Sequence, residues 1–451
     1  MISLNDQQTI AAIATPIGIG GVGIIRISGV QACDIANQIC HKTLKPRLAI
    51  YSHFYNQENE ILDSGILLYF PAPNSFTGED VIELQGHGGA VIQDILLKEV
   101  LLAGARMAQP GEFSLRAYLN NKIDLIQAEA IADLIESRTA SAARSATRSL
   151  QGDFSKEINQ LVEKVTRLRV FIEAAIDFPD EEIDFLKEGR VLEQLIGLIQ
   201  ILNQILTKTK SGVVLREGLR VVIAGLPNVG KSSLMNQLAN QETAIVTDIA
   251  GTTRDLIKQD IQIKGIPIHL VDTAGMRETD NIVEQKGIER ALGQIAKADH
   301  ILWCYDPLMD TENKALESAN LTKEVPITLI RNKIDCLNET PKITKKAGMT
   351  EISLSAKQGQ GIELLKDHLT QDVVAENQAE GQFIARRRHL DLLEQALHFL
   401  QTGKQQIELT GSGELLAEDL RETQNILGGI TGKVSSDDLL GEIFCNFCIG
   451  K

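Results

Sequence analysis

The segment LRVVIAGLPNVGKSSLMNQLAN, residues 219–240, constrains the fold of this chain more than any other. A β-branched apolar run leads into a loop that opens on glycine, and a helical pattern follows at once. This is the order in which a phosphate-binding loop joins a buried strand to a helix N-terminus. Gly225 and Gly230 permit the turn and leave backbone N–H groups facing phosphate. Lys231 supplies a point charge at the β and γ phosphates, and Ser232 a hydroxyl for magnesium. Asn228, Val229 and Ser233 complete the loop.

Four further signals follow in the order that a guanine-nucleotide switch needs. TDIAGTTRD carries Thr247, Asp248, Ile249, Ala250, Gly251, Thr252 and Thr253, with threonines able to reach magnesium. VDTAG ends a strand with Asp272, placed to hold the metal through water, and continues with Thr273, Ala274 and Gly275. In NKID, after Asn332 and Lys333, the carboxylate of Asp335 can accept from both the N1–H and the exocyclic amine of guanine. Adenine has no such pair of donors, so it would leave the carboxylate unsatisfied. SAK, with Ser355, Ala356 and Lys357, closes the base pocket. Alone, NKID or SAK is an ordinary loop; five signals in this order specify GTP binding. LRVVIAG, IPIHLVD, HILWCYD, PITLIRN and EISLSAK read as buried strands between helical patterns. Residues 217–377 are therefore expected to form a parallel sheet wound on both faces, a Ras-like P-loop GTPase domain.

One position departs from the common switch. Many such GTPases carry Gln directly after DTAG to hold the attacking water, whereas this chain has Met276. A thioether cannot orient water. Either the pocket is a slow timer or the chemistry has moved to other residues and to an ion. Met276 itself reads as apolar packing beneath a switch loop. The carboxylates after it, Glu278, Asp280, Glu284 and Glu289, offer water-ordering groups among which composition does not choose.

At 451 residues the chain is long enough for roughly three domains. Residues 1–118 mix short β-branched runs with Gly and Pro punctuation and read as a small α/β domain. In 119–216, Leu161, Val165, Leu168 and Ile172, then Leu192, Leu195, Ile199, Leu202 and Leu206, keep the spacing of one helix stripe. Leu390, Leu393, Leu397 and Leu400 restore it in 378–451, so the GTPase region is expected to be an insert in a discontinuous helical domain. The charge of −15 excludes a broad basic face for nucleic acid, leaving RNA contact local or delegated to a partner. Six cysteines lack framework spacing and no basic-then-apolar leader opens the chain, so a reducing cytoplasm is the expected compartment. No apolar run approaches the roughly 20 residues that span a bilayer, so no membrane is expected.

Blocks outside the GTPase motifs are more specific. GGVGIIRISG, PNSFTGEDVIELQGHGG, PGEFSLRAYLNNKIDLIQAEAIADLI, GIERA and the final CIGK, with the motif set above, make the chain resemble the MnmE (TrmE) family of tRNA modification GTPases over its full length. The resemblance implies a homodimer with an N-terminal folate-binding and dimerisation domain, a helical domain and an inserted GTPase domain. It also implies an FAD-dependent partner, MnmG, in a heterotetramer. Together the two proteins add an aminomethyl or carboxymethylaminomethyl type of group at carbon 5 of wobble uridine 34 in certain tRNAs, using a tetrahydrofolate one-carbon unit (5-formyl or methylene). In the family, two GTPase domains meet across potassium, which does the electrostatic work of an arginine finger.

Carried residue by residue, the resemblance gives Asn228, Thr247, Ile249 and Thr252 to potassium, and Ser232 and Thr253 to magnesium. Glu284 falls where the family orients the attacking water; by composition alone it would be a surface carboxylate. Arg26, Glu83, Lys122 and Lys451 match the folate-contacting positions, basic groups suiting the glutamate tail and a carboxylate the pterin. Cys448, before the final IGK, is placed near the modification chemistry.

Other signals are set aside. Gly18, Gly20 and Gly23 fit GxGxxG, but a strand pattern follows where the dinucleotide fingerprint needs a helix. Cys445 and Cys448 form a CxxC without the second pair that a zinc site needs. ARRRH (385–389) reads as solvated surface, with tRNA contact the alternative, and His87 in QGHGG as structural. The reading is thus a potassium-stimulated GTP hydrolase of tRNA modification. Its alternative is a regulatory or ribosome-assembly GTPase switch, which would carry a basic RNA-binding appendage in place of the folate blocks and the CIGK tail. A folate enzyme with a vestigial GTPase is weakened by the full motif set.

Overall fold

The computed structural model describes residues 8–16, 18–177, 190–240, 258–272, 298–309, 325–346, 348–377, 383–433, 437–445, 447 and 450. It divides into two compact units, one of residues 1–132, 149–200 and 392–451, the other of 133–148 and 201–391.

The first unit is organised by a six-stranded sheet. Its strands are β1 (Ile10–Ile13), β2 (Gly20–Ser28), β3 (Ile50–Tyr55), β4 (Ile61–Phe70), β5 (Val81–Gly88) and β6 (Arg106–Met107), in the order β3-β4-β5-β2-β1-β6. Helices Ala32–Cys40 and Ala90–Leu102 lay Ile35, Ile39, Leu96 and Val100 on Ile25, Ile27, Leu67, Ile82 and Leu84. Side chains alternate across a strand, so Arg26 and Glu83, set between those apolar residues and paired in register, face away from that core. The long helix Asp153–Asp177 buries Leu161, Val165, Leu168 and Ile172, as the stripe predicts, and packs against Gly413–Thr431. Leu125 and Ala128 meet Leu440, Ile443 and Phe444 in a separate small core that anchors the last described helix, Asp437–Cys445.

The second unit holds a seven-stranded sheet: β7 (Leu219–Ala224), β8 (Lys258–Ile263), β9 (Ile266–Asp272), β10 (His300–Tyr305), β11 (Ile327–Arg331), β12 (Lys342–Lys346) and β13 (Met349–Ser353). The order is β12-β13-β11-β10-β7-β9-β8, parallel from β13 to β9 and antiparallel at both edges. Both faces are apolar: Val221, Ile223 and Leu302 contact helices Lys231–Asn240 and Ile362–Asn377, while Val222, Ala224, Ile301 and Trp303 form the other core. This is the α/β architecture expected of a P-loop GTPase.

Two strands and one helix face depart from expectation. β8 (KQDIQI) and β12 (KITKK) are edge strands rich in charged and polar residues. They lack the continuous apolar run of doubly buried strands, and their lysines suit an edge that must not recruit another chain. In helix Val191–Glu217 the buried line runs through Val191, Leu195, Leu198, Leu202 and Ile205, while Leu192 is 38% exposed. Of the expected stripe, Leu195, Leu202 and Leu206 are buried and Ile199 is half-buried, so spacing found the buried face and missed only its edge, where Val191 and Leu198 are buried in place of Leu192.

Candidate functional sites

β7 delivers the chain into the loop Gly225–Gly230 at the start of helix Lys231–Asn240. Gly225 has φ +134°, and a Cβ there would overlap the carbonyl of Cys304 on the neighbouring strand; Gly230 has φ +97°, and a Cβ there would overlap the carboxamide of Asn332. Both glycines are therefore required by backbone conformation and by space. Asn228 also sits in the left-handed region, at φ 61°. The buried Lys231 donates through Nζ to Gly225 O at 2.8 Å and Leu226 O at 2.7 Å, which holds its ammonium over the loop. Ser232 and Ser233 lie exposed in the first turn, where helix N–H groups and the helix dipole favour an anion.

Asn332 ties this loop to the others. Its Nδ2 donates to Val229 O at 2.8 Å, its Oδ1 accepts from Ala356 N at 2.9 Å, and its own N–H donates to Tyr305 O at 3.0 Å. Ser355 Oγ donates to Asp335 Oδ1 at 2.6 Å and accepts from Gln358 N at 3.2 Å, which fixes the carboxylate's direction, while its other oxygen accepts only from the Cys336 thiol, at 3.9 Å, among the described residues. Lys333, in the left-handed region at φ 64°, reaches Asp306 Oδ2 at 2.8 Å. Lys357 is exposed. The described parts of the phosphate loop, NKID and SAK are thus joined by direct hydrogen bonds through one buried asparagine.

Ser232 offers a hydroxyl beside the phosphate loop, a donor that suits a hard cation, and Asp272 is the last residue of β9. Asn228 offers a carboxamide oxygen of the kind that potassium takes. Thr247, Asp248, Ile249, Ala250, Gly251, Thr252, Thr253, Thr273, Ala274, Gly275, Met276 and Glu284 lie outside the described residues.

On the first unit's sheet, Arg26 Nη2 and Nε donate to Glu83 Oε1 at 2.9 and 3.1 Å, and Gln85 Nε2 donates to Glu83 Oε2 at 3.1 Å. The guanidinium lies 5.8 Å from the centroid of the Phe113 ring. Its Nη1 also donates to Gly450 O at 3.3 Å, which brings the chain's penultimate residue to this pair. Lys122 instead donates from Nζ to Pro73 O at 2.9 Å. Lys451 and Cys448 lie outside the described residues.

The ARRRH run is solvated surface only in part: Arg387 is exposed, but it and Arg386 are both held in ion pairs. Arg386 Nη2 donates to Asp133 Oδ1 at 2.8 Å, and Arg387 Nε to Glu217 Oε2 at 2.7 Å, because the chain returns here beside the end of helix Val191–Glu217. His87, read as structural, binds Asp63 through its backbone N–H at 2.8 Å and through Nδ1 at 2.6 Å. Gly20 and Gly23 lie within β2, in agreement with setting aside the dinucleotide fingerprint.

Comparison with known proteins places these features in a family. The profile described as MnmE helical domain matches residues 125–448, and that described as GTP-binding protein TrmE N-terminus matches residues 9–122. A tRNA modification GTPase MnmE from Hydrogenovibrio crunogenus is 55% identical over 456 residues, covering 100% of both chains. Relatives of the same name from Mannheimia succiniciproducens and Yersinia pseudotuberculosis are 53% and 54% identical, each covering 99% of this chain and 100% of the relative.

Proposed function

Because this chain belongs to the MnmE family of tRNA modification GTPases, we propose that it is the potassium-dependent, dimerising member of a two-protein machine. It acts with an FAD-dependent MnmG partner on carbon 5 of wobble uridine 34, using a tetrahydrofolate one-carbon unit. The proposed division of the chain is a folate and dimerisation domain (1–118), a helical domain (119–216 and 378–451) and a GTPase insert (217–377), working in the cytoplasm. Among the described residues no helix is long and apolar enough to cross a membrane.

In the GTPase insert, the Gly225–Gly230 loop and Lys231 bind the phosphates, and Asp335, aimed by Ser355, accepts from guanine. Ser232, Thr253 and Asp272 would hold magnesium, and Asn228, Thr247, Ile249 and Thr252 potassium. These cations supply positive charge where negative charge develops on the transferring phosphoryl group. Glu284 orients the attacking water in place of the Gln that Met276 replaces. In the N-terminal domain, Glu83 and Arg26 offer a carboxylate and a guanidinium beside the Phe113 ring, a set matched to a pterin and an anionic tail, with Lys122 and Lys451 as further basic partners. The folate, when bound, supplies the one-carbon unit.

The observation that most supports this reading is the meeting of Arg26, Glu83 and Gly450, since it brings one residue of CIGK to two of the folate candidates. The test is nucleoside analysis of tRNA from cells lacking the chain, expected to show uridine 34 without its C5 group. Unchanged tRNA nucleosides would refute the reading.

A further inference from the structure

We propose that Asp306 is a positioning residue for guanine nucleotide binding, acting through its ion pair with Lys333 to hold the NKID loop in its base-accepting form. Asp306 follows β10, beside the strand β11 that feeds NKID, and is only 4% exposed. A carboxylate so deep in a fold must be satisfied, and it has two donors: Lys333 Nζ at 2.8 Å and Leu308 N at 3.0 Å. Burial pushes the Asp306 carboxyl up, but the hydrogen bonds from Lys333 and Leu308 N–H outweigh it, holding the group below the usual carboxylate value and ionised at neutral pH.

The lysine needs such a partner. Its backbone, at φ 64° and ψ 33°, lies in a region that a Cβ disfavours. The motif's two other polar side chains are committed, with Asn332 bonded to Val229 and Ala356, and Asp335 to Ser355. Anchoring Nζ on Asp306 removes the rotamer freedom of the long side chain before ligand arrives, so less ordering remains at the moment of binding. The pair thus links β10 to the segment that reads the base. The proposal rests on the assignment of NKID to guanine.

The experiment measures release of a fluorescent GDP analogue from the full-length protein by stopped flow. Asp306→Asn keeps an oxygen for the Leu308 N–H and removes the charge. It is expected to speed release by about tenfold or more, the loss of one charge-assisted hydrogen bond, and to raise KM for GTP far more than it lowers kcat. Asp306→Glu, which restores the charge, should recover most of the slow release. In a Lys333→Met background Asp306→Asn should add nothing, because its partner is already gone. Unchanged release in Asp306→Asn, or equal acceleration with and without Lys333, overturns the proposal. If Asp306→Asn does not fold, Asp306→Ser decides, since its hydroxyl can still accept from Leu308 N–H while the charge is gone: faster release supports the pair, and unchanged release overturns it. Asp335→Asn serves as the separate check on NKID, since it should shift preference from guanine to xanthine nucleotides. If that variant keeps its guanine preference, the base assignment itself fails, whatever Asp306 does.

Discussion

Arg386 and Asp133 lie 253 residues apart in the chain, yet Nη2 of the first is 2.8 Å from Oδ1 of the second. Arg216 Nε donates to the same oxygen at 2.8 Å. The carboxylate side chain is 2% exposed and the two guanidiniums 17% and 27%, so one nearly buried acid joins the segment entering the second sheet to the segment leaving it. Burial pulls the Arg216 guanidinium down, and Asp133 more than restores it, leaving it above its usual value. Asp133→Ala should therefore destabilise the second unit by about 3 kcal/mol, because it takes the shared, nearly buried anion from two cations that folding has partly desolvated. Urea unfolding would show it, and a loss within error of zero would mean that water replaces the acid at no cost.

That clasp marks a limit of what the sequence reveals. The phosphate loop, NKID and SAK were legible because each packs several backbone-determined requirements into a few adjacent residues, as the glycines at 225 and 230 show. The five central strands were legible because burial on both faces demands continuous apolar runs. ARRRH was not, because its partners Asp133 and Glu217 lie far away in the chain and a charge run looks the same whether solvated or paired. Asp306 was missed for a related reason. It stood in HILWCYD as the end of a strand, and only the fold sets it against Lys333.

The loop glycines give a sharp test. In Gly230→Ala the new methyl overlaps the Asn332 carboxamide and meets a φ of +97°, so the bonds of Asn332 to Val229 and Ala356 must yield. The expected result is a loss of GTP affinity of about 100-fold or more, from backbone strain and broken buried hydrogen bonds together. Calorimetric titration at near-native affinity would contradict the geometry.

GTP turnover is expected to be far faster in KCl than in NaCl, and Glu284→Ala to lose turnover while keeping GTP affinity. Equal rates in the two salts would remove the ion from the explanation of Met276. Undiminished turnover in the variant would return Glu284 to ordinary surface. A water-orienting or general-base group contributes on the order of 10²–10⁴ in rate, so the effect should be unmistakable in a steady-state assay.

Glu112 gives a pH prediction. Burial pushes its carboxyl up, but hydrogen bonds from Arg106 and from Gln109 N–H, with the nearby Arg116 charge, hold it below the ordinary value. A depressed folded value means that the stabilisation is complete above the unfolded pKa, roughly 4.3, and is lost as pH falls through the folded value. Acid unfolding followed between these limits should be less steep in Glu112→Gln than in the parent, with the parent's advantage vanishing at the acid end. An advantage that persists at the lowest pH would show that packing, not ionisation, makes Glu112 matter.

The tail and the sheet make the final prediction together. Gly450 has φ +94°, and a Cβ there would come within 2.5 Å of Ile13 O, so Gly450 itself is seated closely against the end of β1. Arg26 bonds to Gly450 O and to Glu83 at once. Arg26→Met should then weaken 5-formyltetrahydrofolate binding in two ways: it removes a cation from the pocket, and it loosens the tail that carries Lys451. Deleting Lys451 alone removes a terminal cation and leaves the Arg26 to Gly450 bond available, so its effect should be smaller, about tenfold if one charge-assisted contact is lost. Calorimetry on both variants orders them: parent tightest, Lys451 deletion intermediate, Arg26→Met weakest. If deleting Lys451 leaves the dissociation constant unchanged while Arg26→Met raises it, the tail only props the arginine and makes no contact of its own with the folate.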